Sequence, residues 1–167
     1  MRAIVNVTPQ WGIGKENGLL VRIRADMRRF RELTTGGTII VGRKTLESFP
    51  NGAPLANREN IVLTRDPDFW VENALVLHDT AELQEILSLR DPDTVFVCGG
   101  EQIYRQLLPY CMDALVTLTY TSAAADRRFP NLNLLPNWIL TEVGEKRSEN
   151  DLRFRFLTYT NTAVRQI

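Results

Sequence analysis

The chain has 167 residues, 44% apolar and 24% charged, the make-up of one ordinary globular domain. Its 20 basic and 20 acidic side chains balance, so no overall field favours nucleic acid or an anionic membrane. His78 is the single histidine, and Cys98 and Cys111 lack metal-type spacing, which argues against a metal site or a Ser-His-Asp triad. No stretch approaches the ~18 apolar residues of a membrane span, and the apolar run at 3–7 is too short for a signal-peptide core. The economical expectation is a cytoplasmic protein with reduced thiols.

Along the chain, β-branched apolar runs alternate with helical patterns. Strands are predicted at 3–7, 38–41, 60–64, 74–77 and 94–98, as continuous runs suited to a parallel sheet covered on both faces. Helices are predicted at 25–34, 43–49, 80–89 and 101–108. In the third, Ala81, Leu83, Ile86, Leu87 and Leu89 form the apolar stripe, with Thr80 as N-cap. After Asp113 the rhythm changes: 114–119, 138–143 and 154–160 read as strands with no helix between them, an antiparallel edge. The expected fold class is α/β, a single domain with a mostly parallel eight-stranded sheet and about four flanking helices. The long irregular stretches 8–24, 49–59 and 122–138 are expected to be functional or mobile.

Three strand ends carry candidate anion-binding turns. Gly42-Arg43-Lys44-Thr45 joins a strand to a helix, where exposed N–H groups and two cations favour an anion. A solvated basic turn is the plainer alternative. Gly99-Gly100 follows Cys98 in the same way but lacks the third glycine of a dinucleotide fingerprint. Thr64-Arg65 could place a further cation on this carboxyl edge, where open α/β sheets bind ligands.

Asp26 opens a helix whose apolar residues Met27 and Phe30 flank the acid. An acid there can simply complement the helix dipole. Packed beside a buried strand it would instead be desolvated, and its carboxylate could bind an amidine-like edge with two charge-assisted hydrogen bonds. Thr117 could donate to it, although a β-branched sheet residue is equally ordinary there. Arg58, at a loop–strand junction, could clamp a carboxylate.

In order, these features comprise Gly12-Ile13-Gly14 then Asn17; Ala25-Asp26 then Phe30 and Thr34; Gly42-Arg43-Lys44-Thr45; Arg58 then 60–64; Gly99-Gly100 then Ile103-Tyr104; and Asp126 then Phe129-Pro130. Each is common alone, and together they resemble the bacterial dihydrofolate reductases over nearly the whole chain. The resemblance implies NADPH-dependent reduction of 7,8-dihydrofolate to tetrahydrofolate, with dihydrofolate and antifolate inhibitors as small-molecule partners, no nucleic acid, no membrane and a monomer. It implies that residues 38–90 form the adenosine-binding part. Asp26 matches the pterin-binding acid and Thr117 its hydroxyl partner. Ile4, Val5, Met27, Phe30, Phe49, Leu55 and Cys98 match substrate-lining positions, and Arg58 the clamp on the glutamate tail. Asn6, Ile13, Gly14, Leu19, Thr45, Tyr104 and again Cys98 fall around the nicotinamide or its ribose. Arg43 and Arg65 match the 2′-phosphate site, and Gly99-Gly100 the pyrophosphate turn, whose peptide is cis in relatives. Gly42, Lys44, Thr64, Gln102 and Ile103 complete the cofactor set.

The chain departs from the family pattern at three places. Leu20-Val21 stands where Pro-Trp is usual, Asn6 where a small alanine is usual, and Arg24 replaces a common proline before the catalytic helix. The alternatives weighed are a pyrimidine reductase of riboflavin synthesis, which does not predict Asp26 paired with Arg58, and a non-catalytic nucleotide- or pterin-binding module.

Overall fold

The computed structural model describes residues 1–16 and 18–167; Asn17 of the glycine-rich motif lies outside them. Among the described residues the strands are β1 (Arg2–Val7), β2 (Gly12–Lys15), β3 (Gly18–Leu19), β4 (Thr38–Gly42), β5 (Glu59–Leu63), β6 (Leu75–Leu77), β7 (Val95–Gly99), β8 (Asp113–Tyr120), β9 (Arg127–Arg128), β10 (Trp138–Val143), β11 (Arg147–Glu149) and β12 (Leu152–Asn161). The helices are α1 (Arg24–Thr34), α2 (Arg43–Glu47), α3 (Thr80–Leu87) and α4 (Glu101–Leu107).

Eight strands run in the order β10-β12-β8-β1-β7-β4-β5-β6, and short β11 adds to β12. From β8 to β6 every pairing is parallel, while β12 runs antiparallel to both β8 and β10. The expected antiparallel edge therefore starts at β12. Strand β8 belongs to both halves, because its Asp113–Leu118 stretch pairs parallel with β1.

The parallel strands are buried on both faces, and their side chains alternate between two layers. On β1, Ala3, Val5 and Val7 join the large cluster with Leu83, Leu107, Phe129 and Trp138. Ile4 points the other way, into a cluster with Ile39, Phe96 and Leu115, against which Phe30, Phe49, Leu55 and Cys98 pack. On β4 the residues Ile39, Ile40 and Val41 likewise fall into three different clusters.

Element ends differ from expectation for local reasons. Helix α2 stops at Glu47, and Phe49 is extended (φ −69°, ψ 161°), as a residue preceding proline tends to be. Helix α3 is capped by Asp79, whose side chain accepts from the Glu82 N–H, so Thr80 is its first turn and not its N-cap. Three elements sit in stretches expected to be irregular: β2, β3 and β9 form a small separate sheet. Strand β11 was likewise not expected. It meets β12 through Asn150-Asp151, both at positive φ, the signature of a two-residue hairpin.

Candidate active site

The carboxyl ends of β1, β7, β4 and β5 lie side by side, so Asn6, Gly99, Gly42 and Thr64 share one edge of the sheet. Helix α1 crosses beside β1 and presents Asp26 from its first turn. The Thr117 hydroxyl donates to Asp26 Oδ1, and Asn6 Nδ2 donates to Asp26 Oδ2 at 3.0 Å. Asn6 and Thr117 are register partners on β1 and β8, which is why both reach one carboxylate. Behind Asn6, the buried Thr119 hydroxyl donates to Asn6 Oδ1 at 2.8 Å. The acid is half-buried and held by the sheet through both of its oxygens. Arg29, one turn on, stacks over the Phe156 ring at 4.3 Å; burial lowers its pKa, against the raising effect of Asp26.

An unforeseen residue sets the start of α1. Ile23 occupies the N-cap with no side-chain cap of its own. Glu149 supplies the acceptor from the β11–β12 hairpin: Oε2 accepts the Arg24 N–H at 2.6 Å and Oε1 the Ala25 N–H at 3.2 Å. These are two of the free N–H groups that every helix start leaves. A proline at 24 has no N–H to donate, so Arg24 is what permits the first of these bonds.

The floor beside Asp26 is apolar: Ile4 is buried, with Phe30, Phe49 and Leu55 half-buried around it. Met27, at 42% exposed, is not one of the buried or half-buried residues of that cluster. Val5 departs further from expectation, because its side chain lies in the cluster on the opposite face of the sheet. Only the Val5 backbone can serve a ligand on the Asp26 side. Cys98 sits at the register shift where β7 slips against β4. Burial pushes its thiol up, against the pull of Arg58, and burial pushes Cys111 up to about 12; both are packing groups and poor nucleophiles.

Arg58 is pre-set at the rim of this floor. Its Nε donates to the Ala56 carbonyl at 2.9 Å and Nη1 to the Thr34 hydroxyl at 3.2 Å. The Thr34 hydroxyl in turn donates to the Phe30 carbonyl at 2.7 Å. The Nη2 group and one Nη1 hydrogen remain available.

On the other side of β1 the glycine turns are tight. Gly99 has φ +121°, and a Cβ there would lie 3.4 Å from the Tyr104 ring. A Cβ on Gly100 would come within 3.3 Å of the Thr45 hydroxyl, and one on Gly42 within 3.1 Å of Ile103. The Gly99-Gly100 peptide is cis. Tyr104 Oη donates to the Ile4 carbonyl at 2.7 Å and so ties α4 to the strand bearing Asn6; burial raises the Tyr104 pKa. Gln102 is exposed on the outer face of α4. Arg43, Lys44 and Arg65 are all exposed, and of the three Arg43 is already engaged, by Glu47 and Asp66, each at 2.9 Å. His78 Nδ1 lies 3.0 Å from the Thr64 carbonyl oxygen, which places it at this same turn.

Residues 8–16 and 18–23 connect the carboxyl end of β1 to α1, pinned by the segment around β9. The Glu16 N–H donates to Asp126 Oδ2 at 3.0 Å, and the Asp126 N–H to the Gly14 carbonyl at 3.0 Å. Ile13 packs on the core, while Leu19 is 53% exposed.

The family model "Dihydrofolate reductase" matches residues 1–161. A dihydrofolate reductase of Bacillus subtilis is 38% identical over 149 residues, covering 88% of this chain and 86% of its own. That of Mycobacterium leprae is 42% identical over 107 residues, 63% of either chain. The solved dihydrofolate reductase from Enterococcus faecalis, complexed with NADP(H) and RAB-propyl, superposes with TM-score 0.85 at 28% identity, covering 96% of this chain and 95% of that one. The family match over residues 1–161 and the superposition over almost the full length lead to one conclusion. The chain belongs to the dihydrofolate reductase family.

Proposed function

We infer that the protein reduces 7,8-dihydrofolate to 5,6,7,8-tetrahydrofolate with NADPH, in one-carbon metabolism. The observation that supports this best is Asp26, held through both oxygens above an apolar floor and beside two glycine turns on one sheet edge. The assay is the fall in NADPH absorbance on adding dihydrofolate. Turnover of a pyrimidine substrate of riboflavin synthesis instead, or binding without oxidation, would overturn the reading.

The residues present fit the cofactor. The φ of Gly99 disfavours any side chain, and a Cβ at Gly42 or Gly100 would crowd Ile103 or Thr45, so bare backbone at this turn leaves N–H groups open to a pyrophosphate. We assign the nicotinamide end to Ile13, Gly14, Leu19, Thr45 and Tyr104, and the pyrophosphate to the turn before Gln102 and Ile103. The 2′-phosphate goes to Arg43, Lys44, Thr64 and Arg65, within an adenosine-binding part at 38–90. When bound, NADPH supplies the hydride, and the protein supplies placement and electrostatics.

The pterin is assigned to the floor of Ile4, Phe30, Phe49, Leu55 and Cys98, with Met27 and the Val5 backbone at its margins. Asp26 binds its N–H and amino edge. The negative, water-poor pocket favours protonation at N5, which makes C6 the better hydride acceptor. Arg58 takes the glutamate carboxylate through its available N–H groups. No helix among the described residues is long and apolar enough to cross a membrane. A cytoplasmic monomer that binds small-molecule substrates and antifolates, and no nucleic acid, is the accompanying proposal.

NADPH is expected to be preferred over NADH. Because Glu47 and Asp66 already hold Arg43, Arg65 is the more available cation. Replacing both arginines with glutamine should erode the preference by about tenfold, and more at low ionic strength, where exposed charges are less screened. Comparing kcat/KM for the two cofactors at two salt concentrations checks this. Equal use of both by the unmodified protein would place the phosphate elsewhere.

Asp126→Ala removes the acceptor for the Glu16 N–H while leaving the Asp126 N–H bond to Gly14. Losing one charge-assisted contact of about 1.5 kcal/mol should loosen residues 8–16, which we assign as part of a lid closing over the site, and slow hydride transfer roughly tenfold. Single-turnover kinetics measure it, and an unchanged rate would show that this contact does not govern closure.

A further inference from the structure

We propose that Asn6 is a positioning residue for Asp26, supplying from the sheet the second hydrogen bond that fixes the plane of the pterin-binding carboxylate. The proposal rests on the functional reading above and deepens it. A carboxylate offers about four acceptor positions, two on each oxygen. Thr117 takes one on Oδ1 and Asn6 takes one on Oδ2, at 3.0 Å. One position on each oxygen remains, the arrangement needed to receive two parallel N–H donors from a pterin edge.

With Thr117 alone, the carboxylate could swing about its last torsion while keeping that bond. Donors on both oxygens, from adjacent strands in register, remove this freedom before substrate arrives. The amide is itself oriented. Thr119 is fully buried and donates to Asn6 Oδ1, which turns Nδ2 toward the acid. The reversed amide would set a carbonyl oxygen against Asp26 Oδ2, so the acid requires Nδ2 on its side, and the Thr119 hydroxyl, able to donate or accept, donates to the oxygen that remains. The alanine usual at position 6 has no donor, and Val21, where tryptophan is usual, has none either. In this chain the order of the acid is built into β1 and β8.

Resemblance alone placed Asn6 beside the nicotinamide, and the two roles separate cleanly by experiment. The variants are Asn6→Ala, Thr119→Val, Asp26→Asn and the Asn6→Ala/Asp26→Asn double variant. They are compared by single-turnover hydride transfer at neutral pH and by NADPH titration of protein fluorescence. Asn6→Ala should slow hydride transfer about tenfold, the loss of one hydrogen bond to a charged group, with NADPH affinity within about twofold of the parent. Thr119→Val, which frees the amide to turn, should give a smaller loss of the same kind. In the Asp26→Asn background, Asn6→Ala should cost less than about a further twofold, because residues acting through one group are not additive.

A full tenfold further loss in that background would show that Asn6 acts by another route and would overturn the proposal alone. So would weakened NADPH binding with an unchanged hydride rate. An Asp26→Asn variant as fast as the parent would overturn the functional reading itself, and the proposal with it.

Discussion

Asp26→Asn should lower transition-state stabilisation by about 3 kcal/mol or more at neutral pH, the scale set by removing a preorganised group from a dry site. The local hydrogen bonds say how. Asn6 Nδ2 can only donate, so the new amide must turn its oxygen toward Asn6 and its nitrogen toward Thr117, whose hydroxyl can rotate to accept. A donor then faces the pterin's own donors, and the negative charge that favours N5 protonation is gone. The loss should shrink as pH falls, because substrate protonated in solution no longer needs the acid. NADPH affinity should hardly change. Hydride transfer in single turnovers, measured from acid to neutral pH, tests this; an unaltered neutral rate would show that the chemistry does not depend on the carboxylate.

The second large effect is expected at Arg58. Arg58→Ala should weaken dihydrofolate binding by about 1–3 kcal/mol, the range for hydrogen bonds to a charged group. Thr34 and the Ala56 carbonyl hold the guanidinium in place before ligand arrives, so little ordering cost offsets the contact. A pterin without the glutamate tail should bind the variant and the parent alike. Equal losses for the two ligands would move Arg58 from the tail to the ring. Thermal unfolding of the variant is the control, since truncation also releases the Thr34 hydroxyl from one partner.

Much of the scaffold was legible because period and chemistry agreed. The β-branched runs of β1, β4, β5 and β7 announced strands buried on both faces, and all lie in the parallel part of the sheet. The residues left Thr117 open between a donor to Asp26 and an ordinary sheet residue, family pattern favoured the pair, and the structure brings the two into contact. Misreadings came where tertiary context decides. Period-2 alternation on β1 sends Val5 to the face opposite Ile4, a consequence readable in the sequence but overridden by analogy with substrate-lining positions. Arg43 read as a free cation because nothing local shows that Asp66, 23 positions on, reaches back to it. Glu149 had no local signal as a helix cap. The cue was indirect: Asn150-Asp151 between residues able to form strands marks a tight hairpin, but where its acid lands depends on the whole sheet.

The contact between that hairpin and the catalytic helix has a consequence for how such chains can be recombined. Arg24 and Glu149 are 125 positions apart, yet neither does its part without the other. A chimera that imported a proline at 24 would strand one oxygen of Glu149. One that imported a hairpin without an acid at 149 would strip the cap from two amides just ahead of Asp26. The opening of α1 and the β11–β12 turn therefore form one heritable block, to be exchanged together or left alone.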